Sequence, residues 1–121
     1  MVVKRGEIYF VDLNPVKGRE QSGKRPVLIL SIDAINQLPL VVTVVVGTKG
    51  INKVKDYPTN IRVLPEESGL PLETIFLGFQ IRSLDAARFI SNSAGKLTPA
   101  GKLTKEKMNK VEATVRYCLG L

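Results

Sequence analysis

Apolar residues in this chain gather in short runs divided by polar stretches rich in glycine and proline, a spacing that predicts strands rather than long helices. Gly6 to Leu13 reads as the first strand, because Ile8, Phe10, Val11 and Leu13 favour β-structure and Asn14-Pro15 ends the run in a turn. Val16 to Lys24 is a polar loop with Gly18 and Gly23 as flexible points. Pro26 to Ser31 reads as the second strand, with the proline as its first residue because it brings no amide donor to a ladder. One helical turn is expected over Asp33–Gln37, stopped by Pro39. Leu40 to Thr48 reads as the third strand, with strong β-branched enrichment. Gly47 to Pro58 follows as a loop carrying Lys49, Lys53 and Lys55. Asn60–Leu64 reads as a strand, Pro65–Pro71 as a turn region, Thr74–Leu84 as a strand bent near Gly78, and Phe89–Ser91 as a shorter strand.

The periodicity changes near the end. Gly95-Lys96-Leu97-Thr98 returns as Gly101-Lys102-Leu103-Thr104, too short a unit to be a structural repeat. One copy is expected to form a short strand and the other a helix start. Thr104 suits an N-cap, Glu106 suits the first turn, and Gly120 suits a C-terminal stop. Between them Met108, Val111, Val115, Cys118 and Leu119 fall on one helical face, which reads as a core-packing stripe. Five or more short strands and one terminal helix imply a mainly β fold with α. The expected form is a strongly curved antiparallel sheet or partly open barrel, covered on one side by the helix. No linker or shift in composition divides residues 1–121, which read as a single domain.

Charge adds a hint about partners. Eighteen basic against eleven acidic residues give a net charge of +7. The excess lies at the two ends: residues 1–62 carry ten basic and five acidic side chains, and residues 96–121 carry six and two. A polyanion such as nucleic acid and a merely soluble basic surface account for this equally well. The chain has no histidine, and Cys118 is its only cysteine. Intrachain disulfides are impossible, which suits a reducing cytoplasm, and a zinc site of the usual Cys/His type is excluded. Acid–base chemistry must do without imidazole. The first residues lack the apolar stretch of a signal peptide, and Leu38 to Val46 is too short and too interrupted to span a membrane.

Glu20 to Ser31 is the most informative segment. A polar loop runs through Lys24 into Arg25, then Pro26 and an apolar strand. An arginine at the edge of a buried strand is held firmly, and its planar fork of donors matches phosphate oxygens.

Arg5-Gly6-Glu7-Ile8-Tyr9, Asp12-Leu13-Asn14-Pro15, Gly18, Glu20-Gln21, Gly23 and Arg25-Pro26-Val27-Leu28-Ile29 together resemble the opening of the MazF/PemK toxins, the toxin halves of bacterial toxin–antitoxin pairs. Val44 to Thr48 resembles the family's third strand, Gln80-Ile81-Arg82-Ser83-Leu84-Asp85 a later segment, and Met108 to Leu121 its final helix. The resemblance runs in order along nearly the whole chain. It implies an SH3-like or CcdB-like barrel of about five to seven antiparallel strands with a C-terminal helix. It implies a homodimer that cuts single-stranded RNA at specific sequences without metal or cofactor. It also implies an antitoxin partner whose acidic segment fills the RNA groove.

That chemistry is open to a chain without histidine. RNA supplies its own nucleophile, the 2′-OH beside each phosphate, so a protein needs only to align it, stabilise charge and move protons. The expected products are a 2′,3′-cyclic phosphate and a 5′-hydroxyl. By position Arg25 matches the family's catalytic arginine and Thr48 its catalytic threonine. Arg25 reads as an electrostatic clamp rather than a base, since a guanidinium stays protonated at ordinary pH. Thr48 could donate to the leaving oxygen, or it could be a strand-end threonine capping a turn. Glu20, Gln21 and Gln80 could read base edges, or they could be solvated polar residues. Lys17, Arg19, Lys24 and Lys49 flank the expected groove as phosphate contacts, each with a solvated charge as its alternative. Phe79 stands where the family commonly has an acidic residue, and it could stack on a base or pack. The competing reading is a non-catalytic module on the same barrel: a CcdB-like toxin acting on a protein, or a basic nucleic-acid binder.

Overall fold

The computed structural model describes residues 2–15, 17–20, 23–38, 41–50 and 57–121. Six strands make one sheet: β1 (Glu7–Asp12), β2 (Lys24–Ile29), β3 (Val42–Lys49), β4 (Asn60–Val63), β5 (Thr74–Leu84) and β6 (Gly101–Lys102). Their spatial order is β4-β5-β3-β2-β1-β6, with every pairing antiparallel. The sheet curls into a half-barrel, and a C-terminal helix, α3 (Lys105–Leu119), packs against it. Two short helices, α1 (Asp33–Asn36) and α2 (Pro65–Ser68), lie in the connections.

Both faces of the sheet are covered, which is why its strands read as continuous apolar runs rather than clean alternations. Tyr9, Val11, Val27, Ile29, Val42, Val44, Val46 and Leu84 project to one side, where they pack with Val3, Leu13 and Phe89. Tyr9 meets the Phe89 ring edge-on at 5.7 Å and donates its hydroxyl to Glu7 Oε1 at 2.8 Å. Ile8, Leu28, Val45, Ile61, Val63 and Phe76 project to the other side, beneath Met108, Val111 and Val115 of α3. Each of those helix residues contributes about 1.5–3 kcal/mol if fully buried. Thr104 caps the helix by accepting from Lys107 N at 3.2 Å, and Gly120 ends it in the left-handed conformation at φ 70°. The stripe is shorter than its spacing suggests: Cys118 is half-buried and Leu119 is exposed.

Several boundaries differ from the sequence reading, and each has a local cause. β2 begins at Lys24, so Pro26 is its third residue rather than its first. The proline is tolerated because the β2–β3 ladder starts only at Val27↔Val46, while on the other side Pro26 simply faces Phe10. β3 runs through Thr48, as expected, and one residue further to Lys49, because β5 keeps pairing with it down to Lys49↔Thr74. The turn region Pro65–Pro71 contains α2, closed by Gly69 at φ 79°. Phe89 forms a single bridge to Val11 rather than a strand. The second Gly-Lys-Leu-Thr copy supplies both features expected of the pair: Gly101-Lys102 is β6 and Thr104 is the helix cap. α1 stops one residue short of the expected turn. Pro39, Leu40 and residues 51–56, which include Lys53 and Lys55, lie outside the described residues.

The bend expected near Gly78 is present as a wide bulge. Val45 pairs with Ile81 and Gly47 with Phe76, so Val46 alone faces the four residues Leu77 to Gln80. Glycine is required at its centre. A Cβ on Gly78 would stand 2.7 Å from Thr59 O and 2.9 Å from Thr114 Cγ2.

Candidate active site

Arg25 and Thr48 meet across two neighbouring strands. The β2–β3 register pairs Val27 with Val46; two residues further out on each strand stand Arg25 and Thr48. Alternation puts both on the face that carries Val27 and Val46. Gly47, between Val46 and Thr48, faces the opposite way, since a Cβ there would touch the Phe76 ring at 3.0 Å. Arg25 Nη1 donates to Thr48 Oγ1 at 3.3 Å. Thr48 is only 3% exposed, whereas Arg25 is half-buried. The guanidinium therefore leans from the protein edge over a hydroxyl whose position the strand determines. That hydroxyl accepts from Arg25, and a hydroxyl is able both to accept and to donate.

The loop between β1 and β2 starts from a stiff base. Leu13 N donates to Gly23 O at 3.0 Å and Gly23 N to Asn14 Oδ1 at 3.2 Å, which ties the two ends together. Arg88, on a 3-10 turn spanning Ala86–Arg88, donates from Nη1 to Asp12 O at 3.3 Å and to Asn14 O at 3.2 Å. Within the loop, Lys17 N donates to Glu20 Oε1 at 2.9 Å. Lys17, Arg19 and Glu20 are all exposed.

A surface pocket joins this loop to the bulged part of β5. Its walls are Arg19, Glu20, Phe79, Gln80, Ile81 and Arg82. The bulge takes Phe79 and Gln80 out of the β3–β5 ladder, and Phe79 is 55% exposed there. The bulged residues stand opposite Val46, two positions before Thr48 on β3, while neither Arg25 nor Thr48 is among the lining residues of the pocket. Aromatic surface, an amide, a carboxylate and guanidinium groups in one recess suit a nucleobase and its phosphate.

The sequence-derived residues thus divide into groups. Arg25 and Thr48 are in contact, and Arg19, Glu20, Phe79 and Gln80 share the neighbouring pocket. Lys24 lies in a separate groove with Phe10, Ile90 and Pro99, on the sheet face away from Arg25. Lys49 ends β3 one residue past Thr48, so it also faces away. Lys17 is on the loop outside the pocket wall, and Gln21 lies outside the described residues. Sequence reasoning passed over Arg82 as a site residue. Its position two residues after Gln80 on the same strand was the available signal. Among the described residues, no three His, Cys, Asp or Glu side chains gather as a metal site, and no helix is long and apolar enough to cross a membrane.

Comparisons with known proteins bear on this arrangement. Residues 4–119 match the family described as PemK-like, MazF-like toxin of type II toxin-antitoxin system. The Endoribonuclease EndoA of Bacillus subtilis (strain 168) is 36% identical over 121 residues, covering 100% of this chain and 97% of that protein. The Endoribonuclease MazF of Staphylococcus epidermidis is 38% identical over 120 residues, covering 99% of this chain and 93% of that protein. MazF from Deinococcus radiodurans superposes with a TM-score of 0.78 at 22% identity, over 100% of this chain and 99% of that one. An endoribonuclease in complex with its cognate antitoxin, from Mycobacterial species, gives a TM-score of 0.75 at 25% identity, over 98% and 96% of the two chains. With a family match along nearly its whole length and full-length relatives above 30% identity, the chain belongs to the PemK-like, MazF-like toxins of type II toxin–antitoxin systems.

Proposed function

We propose that Arg25 and Thr48 are the catalytic pair of a metal-independent endoribonuclease that cuts single-stranded RNA at specific sequences. Endoribonuclease activity follows from the family and from two full-length relatives that carry that name. The observation that carries the assignment of the pair is their 3.3 Å contact at the end of two adjacent strands, beside a pocket suited to a nucleotide.

In the reaction, the 2′-oxygen forms a bond to phosphorus while the bond from phosphorus to the 5′-oxygen breaks. The proton of the 2′-hydroxyl passes to a solvent water and the 5′-oxygen takes one that solvent restores through the Thr48 hydroxyl, giving a 2′,3′-cyclic phosphate and a 5′-hydroxyl. Arg25 stabilises the negative charge that builds on the non-bridging oxygens, where its fork of donors fits two of them. Thr48 donates to the departing 5′-oxygen. Arg19, Glu20, Gln21, Phe79 and Gln80 hold the neighbouring nucleotides, with Phe79 as the stacking surface. Lys17, Lys24 and Lys49 attract the strand to the surface, the last two at longer range because they face away from the pair.

The chain acts as one toxin domain over residues 1–121, as a homodimer, in the reducing cytoplasm that its single cysteine suits. Its inhibitor is a cognate antitoxin that lays an acidic segment along the same groove. The solved complex of an endoribonuclease with its antitoxin, at 25% identity, supports that partner, and a net charge of +7 favours it electrostatically.

The test is incubation of the purified protein with a long single-stranded RNA in EDTA, followed by mapping of the new ends. Discrete cuts with cyclic phosphates, lost in Arg25→Ala, are expected. Binding without cleavage across several unrelated RNAs would overturn the nuclease reading in favour of a non-catalytic toxin or binding module.

A further inference from the structure

Arg82 is a cation in this site with no assigned task. It stands opposite Val44 in the β3–β5 ladder, so its side chain leaves the sheet on the face that carries Val44, Val46 and the Arg25–Thr48 pair. It forms part of the pocket wall with Arg19, Glu20, Phe79 and Gln80. Its Nη1 is buried and meets no hydrogen-bond acceptor among the described residues. Among the described residues the ion pairs join Arg5 to Glu112, Arg62 to Glu73 and Lys107 to Glu67, and none reaches Arg82. Among the described residues Glu20 is the one acid in the pocket wall, and its Oε1 already accepts from Lys17 N.

This is an unusual state for a guanidinium. It cannot shed its charge, and a buried donor without an acceptor is unfavourable unless something else compensates it. A fold keeps such a group where a ligand completes it. The pocket sets two guanidinium groups against one engaged carboxylate, so the ligand is an anion. Val44 and Thr48 are four residues apart on β3, about 13 Å at ~3.3 Å per residue. Arg25 is drawn toward Thr48 at the far end of that span. The two guanidinium groups thus serve different points along one extended strand.

We propose that Arg82 holds a backbone phosphate of the RNA on the pocket side of the scissile bond, as a substrate-binding residue rather than a catalytic one. The proposal rests on the endoribonuclease reading above. It separates the site into a cutting station at Arg25 and Thr48 and an anchoring station at Arg82, with the stacking surface of Phe79 beside the anchor.

The test uses the full chain and RNA oligonucleotides made uncleavable by 2′-O-methylation at the scissile nucleotide. Affinity is measured by fluorescence anisotropy from about 50 to about 300 mM salt, for wild type, Arg82→Gln and Arg82→Lys. Arg82→Gln is expected to weaken binding about tenfold, to the same extent for unrelated sequences, and to lower the salt slope by about 0.7. Arg82→Lys keeps the charge and should keep the slope while losing part of the affinity. Cleavage at saturating RNA should stay within about twofold of wild type in both variants. An unchanged slope would overturn the proposal, as would a loss confined to one sequence, which marks base reading. So would a fall in the saturating rate alone, or loss of dimer mass with the slope intact. If wild type neither binds nor cuts RNA, the endoribonuclease reading itself fails; if wild type cuts and only the slope result is negative, the anchor alone fails.

Discussion

Arg25 and Thr48 lie 23 positions apart in sequence, and the β2–β3 register makes them cross-strand neighbours whose side chains meet at 3.3 Å. The contact is set by backbone. Each residue stands two positions beyond the rung Val27↔Val46, whose side chains are fully buried in the core. Anything that preserves that rung preserves the geometry of the pair. Substitutions at the pair itself should therefore change chemistry far more than folding.

Arg25→Ala should lower the cleavage rate about a hundredfold or more, the usual cost of deleting one transition-state donor. Arg25→Lys should recover little, because an ammonium cannot offer the two parallel donors that two phosphate oxygens need. Single-turnover cleavage measures this. Thermal melting should show both variants folded, since the side chain is only half-buried.

Thr48→Ala should slow cutting by about 10²–10⁴, the range of a lost proton donor. The affinity for an uncleavable RNA should change far less. Thr48→Ser keeps the hydroxyl and should retain most of the rate. Equal losses of cutting and binding in Thr48→Ala would instead assign the threonine a structural role, consistent with its 3% exposure.

Gly78→Ala should destabilise the protein by about 1–3 kcal/mol, the cost of overpacking a filled space. The new methyl would collide with Thr59 O at 2.7 Å, a backbone atom that already accepts from Gly78 N. Urea denaturation gives the stability. A shifted bulge would also move Phe79 and Gln80, so affinity for RNA should fall in the same variant.

Glu67 makes part of the stability depend on pH. Its carboxylate accepts from Leu64 N at 2.9 Å, which holds its pKa below the ordinary value; the Lys107 ammonium at 3.3 Å acts in the same direction. The ionised form is thus favoured in the folded state over the unfolded chain. The stabilisation is complete above the unfolded value, near 4.3, and is lost as pH falls through the lower folded value. Glu67→Gln should reduce stability at neutral pH and flatten the decline below about pH 4.5, read from urea midpoints across a pH series.

Local chemistry was sufficient for much of this fold. The bounds of β5, Thr74–Leu84, agree with the apolar and β-branched run, and the bend fell at Gly78 because nothing larger fits. Thr104 and Gly120 bracket the helix as capping and left-handed turn chemistry require. Other elements were illegible for a shared reason: pairing partners, not propensity, decide them. Lys24 joins β2 because β1 extends opposite it, and Lys49 joins β3 because β5 does. Leu119 fits the helical stripe by spacing yet is exposed, a matter of what packs around it and not of its own type.

The site divides in the same way. The sequence by itself determined the residue types, the strand ends that carry Arg25 and Thr48, and, through resemblance, the family to which the chain belongs. Only the tertiary structure decided which cations share the work. Arg19 and Arg82, which lie 63 positions apart, meet in one pocket, while Lys24, next to Arg25 in sequence, projects from the opposite side of the sheet. The physical reason is the two-residue period of a strand. Sequence neighbours are sent to opposite faces, and the antiparallel register, with its bulge at Gly78, selects which distant residues share one face.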